Sequence, residues 1–281
     1  MTQHPDIAKI SFTGSIATGK KIMAACASTL KRVTLELGGN DASIVLPDVN
    51  VAEVAPQLVL GAFQNSGQVC VATKRIYIHE SIYKETLEAM SKFASSLKVG
   101  SPDDEGVHLG PIQNSMQYER VKGFFEDVGK HEYKFAVGSK DVPNGKGYFI
   151  TPAIIDNPPN DSRIIMEEPF GESTQATRIK NISLTIIGPI VPTQPWSDLD
   201  EVIRRANDTN TGLGACVWGK DVAKADSVAR RLQAGSVWVN SFEKPNPAAP
   251  FGGYKESGQG YEWGSHGWQQ YCNAQAIHTY K

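Results

Sequence analysis

The chain has 281 residues, 40% of them apolar and 21% charged, a balance that suits a globular protein with a sizeable core and excludes a tail or linker. Its formal charge of -2 comes without a basic stripe, so nucleic acid is not an expected partner, and no apolar run is long enough to span a bilayer, so a membrane is not one either. A small molecule is.

In chain order, the pattern opens with a short strand over 10–13, a Gly14-Ser15 turn and a helix in which Lys20, Ile22, Met23, Cys26 and Leu30 recur at helical spacing. A strand over 32–37 stops at Gly38-Gly39, an apolar run follows over 42–46, and a helix is predicted over 51–63. A strand over 75–79 precedes helices over 82–97 and 116–128, and another strand covers 153–155. Clusters of Gly, Pro and Asn at 142–147 and 158–161 read as surface loops. Helices over 199–207 and 222–232 flank a strand over 214–218, and 273–280 reads as a last strand. This alternation predicts an α/β fold, a mostly parallel sheet flanked by helices.

Cys26, Cys70, Cys216 and Cys272 lie far apart without metal-like spacing, and the opening Met1-Thr2-Gln3-His4-Pro5-Asp6 has no secretory character. The expected compartment is reducing and cytoplasmic, no metal is expected, and the Asn-X-Ser/Thr triplets at Asn160, Asn181 and Asn207 then carry no glycan. The stretch from Gly14 to Lys21 nearly spells a phosphate-binding P-loop, but Lys21 stands where that motif needs a magnesium-binding hydroxyl. A less demanding reading is anion binding by backbone amides at a helix start, with Ser15 as its cap.

Two glycine-bounded segments stand out, Leu35-Glu36-Leu37-Gly38-Gly39 and Asn65-Ser66-Gly67-Gln68-Val69-Cys70. A thiol nucleophile forms an acyl intermediate that water must later release, and a carboxylate is a suitable base for that water. Taken singly, a lone cysteine is more often a small core residue and a glutamate beside Gly-Gly a turn residue.

From about Ile7 to Ile277 these motifs fall in an order that resembles the aldehyde dehydrogenase superfamily. The resemblance implies the catalytic domain of that fold, with a remnant of a Rossmann-like cofactor domain over 1–38, the thiol-bearing domain over 39–256, and a tail over 257–281 whose strand serves oligomerisation. It implies Cys70 as nucleophile and Glu36 as general base. It further implies Gly14, Ser15 and Leu37 in cofactor binding, and Glu168 and Phe170 of Glu167-Glu168-Pro169-Phe170-Gly171 at the nicotinamide ribose. Asn240 and Phe251, the latter in Pro250-Phe251-Gly252-Gly253, would be active-site wall or supports, and Glu262 a proton-relay carboxylate, although the preceding Tyr261 stands where the family commonly has Arg. NAD or NADP would be the cofactor, an aldehyde the substrate, and a homodimer or homotetramer the assembly of a full-length protein.

The family's second oxyanion donor and adenosine-ribose lysine would lie before Met1, so the amino-terminal half of the cofactor domain is expected to be missing. Glu172 to Gly188 is expected to be an insertion, because removing it joins Phe170-Gly171 directly to Pro189-Ile190-Val191 as the family has it. An in-frame retained intron would explain it. The competing expectation is a catalytically silent fragment that serves as an interaction subunit.

Overall fold

A computed structural model describes residues 1–142, 147–166 and 188–281 of the chain. β1 (Lys9–Thr13) leads through Gly14-Ser15 into α1 (Ile16–Ala27), and β2 (Arg32–Glu36) returns parallel to β1 with Thr13 opposite Glu36. The next elements are β3 (Ala42–Val45), α2 (Val51–Phe63), β4 (Arg75–His79), α3 (Tyr83–Ser95), α4 (Ser115–Lys130), β5 (Lys134–Val137), β6 (Ala153–Asp156) and α5 (Arg163–Met166). They are followed by β7 (Ile190–Trp196), α6 (Leu199–Asn207), β8 (Thr211–Gly212), β9 (Gly214–Trp218), α7 (Val222–Ala229), β10 (Ser236–Val239), β11 (Tyr254–Lys255), β12 (Gly258–Gln259) and α8 (Gly264–Gln269).

The main sheet has seven strands in the order β10-β9-β3-β4-β7-β6-β5, parallel except for β5. Helices cover both faces, so side chains of the central strands are buried alternately on each side. Cys216 and Trp218 of β9 join Ile76, Ile78, α2 and α3 on one face. Ala215 and Val217 join Ile44, Tyr77, α6 and α7 on the other. A smaller sheet, β1-β2-β12, carries α1 against Leu35 and Leu37, and β12 runs antiparallel to β2.

Most predicted elements fall within a residue or two of the observed ones. The starts are sharp because Ser15, Asn50, Asn114, Asp198 and Asp221 each accept a hydrogen bond from a first-turn amide of the helix they precede. The strand expected at 273–280 is not found: residues 273–281 form no regular structure and are exposed. An extended segment becomes a strand only by pairing with another edge, and this one pairs with none among the described residues. Glu168, Phe170 and 172–187 lie outside the described residues. Gly188, the last residue of the expected insertion, sits inside the fold: its carbonyl occupies the place a Cβ on Gly67 would take, and Val121 fills the place of its own Cβ. Among the described residues no helix is long and apolar enough to cross a membrane.

Candidate active site

Glu36 is the last residue of β2, where the backbone is fixed from two sides. The Gly14 amide donates to the Glu36 carbonyl at 3.0 Å, and the next amide, Leu37, donates to Ser257 at 2.8 Å. The turn after β1, the glutamate and the returning β12 are therefore one hydrogen-bonded unit. The Glu36 side chain is largely buried, and among the described residues its Oε1 has no hydrogen-bond partner. Burial, with Glu262 nearby as a second negative charge, pushes its carboxyl up to about 7, partly offset by the Thr13 hydroxyl. A carboxyl poised there both accepts and returns a proton near neutral pH.

Cys70 follows a turn of unusual backbone. Asn65, Ser66 and Gly67 have φ of 51°, 58° and 71°, three successive left-handed residues, of which only the glycine adopts that conformation freely. Tertiary hydrogen bonds hold them. The Ser66 hydroxyl donates to Gly110 at 2.7 Å, Gln68 Nε2 donates to Pro111, and Gln68 Oε1 accepts from the Gln113 amide at 2.8 Å. Such over-determined strain is a feature of functional turns. The Cys70 thiol is pushed up to about 11, first by burial and then by the charge of Glu36; Lys74 and the Val71 amide act the other way, and Asp41 adds to the rise. The sulfur therefore holds its proton at rest, with Glu36 and Asp41 as the negative charges that act on it.

Three charged residues that sequence reasoning missed complete the surroundings. Lys74 donates to the carbonyls of Cys70 (2.8 Å), Ala72 (3.0 Å) and Val69 (3.5 Å). Asp41 is wholly buried, its oxygens lying where Cβ atoms on Gly39 and Gly214 would stand, and among the described residues neither has a partner that meets full hydrogen-bond geometry. Burial raises Asp41 to about 7, with Lys74 and the Gly214 amide opposing. Glu243, with φ of 42°, is also raised to about 7 by burial, and the same Lys74 opposes that rise. The sequence signal for Asp41 is its place two residues after Gly39, at the end of the Gly38-Gly39 crossing. Glu243 gave none, since its approach depends on the chain doubling back after β10. Arg75 secures the crossing by donating to Asn40 O through Nε (2.9 Å) and Nη2 (2.6 Å), and to Ala206 O at 3.0 Å.

The remaining predicted residues divide. Ser15 caps α1: its hydroxyl accepts from the Thr18 amide at 3.2 Å and donates to the Thr18 hydroxyl at 2.9 Å. Gly14 faces the Phe12 ring, and the Leu37 side chain is core, packed on Gly19. Glu262 comes close enough to act on Glu36; it accepts from Ser11 Oγ at 2.6 Å and from Tyr271 Oη at 3.1 Å. Phe251 exchanges both backbone hydrogen bonds with Glu262 at 2.8 Å, and its ring lies 5.0 Å from that of Trp263. Asn240 stands at the C-terminal end of β10, three residues before Glu243, and Cys70 leads into the N-terminal end of parallel β4. Both its amide atoms bind Gly219, at 2.8 and 2.9 Å, tying the exits of β9 and β10 together. Among the described residues no cluster of three or more His, Cys, Asp or Glu is arranged to hold a metal.

With this geometry in view, comparisons with known proteins are direct. Residues 1–277 match the model of the Aldehyde dehydrogenase family. A putative aldehyde dehydrogenase, FUS7, of Gibberella moniliformis is 41% identical over the whole chain, which covers 55% of that protein. A putative aldehyde dehydrogenase of Bacillus subtilis, DhaS, is 39% identical, with 99% of this chain and 52% of its own length covered. Among solved structures, an aldehyde dehydrogenase of Bacillus cereus in complex with NAD+ superposes with TM-score 0.86 at 36% identity, over 96% of this chain and 51% of that one. A mutant of aldehyde dehydrogenase C of Pseudomonas syringae with NAD+ and octanal gives TM-score 0.85 at 37% identity, over 96% and 53%. The chain thus spans about half the length of the curated relatives it matches. It has the aldehyde dehydrogenase fold, and it belongs to the aldehyde dehydrogenase family.

Proposed function

We propose that this chain carries the thiol and base of an NAD(P)-dependent aldehyde dehydrogenase that oxidises an aldehyde to a carboxylic acid. The observation that supports it is the pairing of a largely buried Glu36 carboxylate, whose Oε1 has no hydrogen-bond partner among the described residues, with a Cys70 thiol on which its charge acts. Cys70 gives up its proton to solvent, and the sulfur adds to the aldehyde carbon to form a thiohemiacetal, whose oxyanion takes a hydrogen bond from the Cys70 amide. Loss of the carbon-bound hydrogen as hydride leaves a thioester on Cys70. Glu36 then removes a proton from the water that attacks the thioester carbonyl; the carbon–sulfur bond breaks and the carboxylic acid leaves.

The residues present fit a dinucleotide. At the start of α1 the Thr18 amide is taken by Ser15, while the Ile16 and Ala17 amides have no partner within the helix and the first turn holds no acidic side chain, which suits a pyrophosphate. Gly14, Ser15 and Leu37, with Glu168 and Phe170 by resemblance, would hold the cofactor; when bound it supplies the hydride acceptor. The relatives solved with NAD+ make NAD the first cofactor to test, and the octanal complex makes an aliphatic aldehyde the first substrate. A homodimer or homotetramer and a cytoplasmic, reducing setting complete the reading, the latter because the mechanism needs a free thiol.

The test is NAD(P)H formation from octanal. Cys70→Ser should abolish it, because a serine hydroxyl yields far less nucleophile than a thiol near neutral pH. Retention of most of the activity by that variant would refute the assignment.

A further inference from the structure

Lys74 sits beneath the nucleophile turn and has no role in the mechanism above. Its ammonium gathers the carbonyls of Val69, Cys70 and Ala72. In a trans peptide the C=O and N–H point in opposite directions, so a carbonyl drawn toward Lys74 sends the following amide away from it. The third of these peptides makes the point: with the Ala72 carbonyl on Lys74, the Thr73 amide donates the other way, to Gly61 O in α2 at 2.9 Å. By the same rule the Cys70 carbonyl turns the Val71 amide to the far side, and the Val69 carbonyl, held by the Ala72 amide at 3.0 Å as well as by Lys74 at 3.5 Å, turns the Cys70 amide likewise. Among the described residues neither amide has a backbone acceptor. One is the oxyanion donor of the proposed mechanism, and the other opposes the rise of the Cys70 thiol.

We propose that Lys74 is a positioning residue for the reaction: by fixing two successive peptide planes it aims the amides of Cys70 and Val71 at the sulfur and at the developing oxyanion. The inference rests on Cys70 being the nucleophile. The charges facing the pair are Glu36 and Asp41 toward Cys70, and Asp41 and Glu243 toward Lys74. Asp41 and Glu243 come from the β2–β3 crossing and the segment after β10, so the lysine also offsets two buried carboxylates, with Arg75 and the Gly214 amide acting beside it on Asp41.

The experiment measures iodoacetamide alkylation of Cys70 against pH by peptide mass spectrometry, in the full chain with exposed Cys272 changed to Ser. It needs neither cofactor nor turnover. Lys74→Met should slow Cys70 alkylation near pH 8 by about tenfold and move its midpoint upward by about one unit, the equivalence expected for a thiolate nucleophile. Lys74→Arg, which keeps a donor-rich cation on the same carbonyls, should recover most of the rate. A merely structural lysine would leave the pH midpoint unmoved. If Lys74→Met unfolds, as judged by circular dichroism, Lys74→Gln is read by the same criterion. Profiles that superpose in parent and variant overturn the role of Lys74 while leaving Cys70 as nucleophile. A parent chain in which p-nitrophenyl acetate acylates some residue other than Cys70 overturns both readings.

Discussion

In the proposed reaction Glu36 and Cys70 divide the chemistry because their environments set them apart: burial pushes the carboxyl up to about 7 and the thiol up to about 11. A base acts when deprotonated, so thioester hydrolysis should rise with pH along a limb whose midpoint lies about 7, and Glu36→Gln should remove that limb. The measurement is the steady-state rate against pH, set beside the amplitude of the first-turnover NAD(P)H burst. Glu36→Gln should keep a burst and lose the later turnovers. Equal loss of burst and steady state would give Glu36 a different role. The two motifs stood out in the sequence, and the fold brings the Glu36 charge within electrostatic reach of Cys70. Lys74, Asp41 and Glu243 were not, because a charged side chain in a sequence reads as surface until the fold shows what closes over it.

At the scale of elements, the position of Glu36 depends on three strands meeting within hydrogen-bonding distance. β12 reaches β2 so closely that a Cβ on Gly258 would stand 2.1 Å from the Leu35 carbonyl. Gly258→Ala should therefore part β12 from β2, release the Leu37-to-Ser257 hydrogen bond and shift Glu36. A displacement of about 1 Å at a catalytic group is enough to lower the rate on the order of a hundredfold. Thermal melting and ester hydrolysis, measured together, check this; an unchanged rate would show that β12 does not position the base. Ser15→Ala, by contrast, removes a helix cap and should cost about 1 kcal/mol in a denaturant titration. The helices were legible because capping residues and apolar periodicity agree, and the central strands because both faces are buried. The strand expected at 273–280 is not formed in the single chain, for a reason local sequence does not carry: a strand needs a partner edge.

Across the whole molecule, Glu36, Asp41 and Glu243 share a linkage. Each is raised to about 7 in the fold, from ordinary values of 4.5, 3.8 and 4.5. Between those limits the folded chain holds more protons than the unfolded one, so this contribution to stability is full below the ordinary values and is lost as pH rises through about 7. Urea titrations should give a midpoint that falls from about pH 5 to pH 8, and a flat profile would contradict the burial of these carboxyls. Exposed aromatic side chains at Trp263, Trp268 and Tyr271 cluster around α8, together with the exposed Ile277 and Tyr280 of the segment that follows. Apolar surface of that kind favours association, so sedimentation should show species larger than a monomer. A monodisperse monomer at micromolar concentration would count against it.

The most direct test of the Glu36–Cys70 pairing uses an activated ester, which needs a nucleophile and a base but no hydride acceptor. With p-nitrophenyl acetate the parent chain should turn over, and Glu36→Gln should stop after one equivalent of p-nitrophenolate, with the acetyl group found on Cys70 by mass spectrometry. Turnover by Glu36→Gln at the parent rate, or an acetyl group on another residue, would contradict the account.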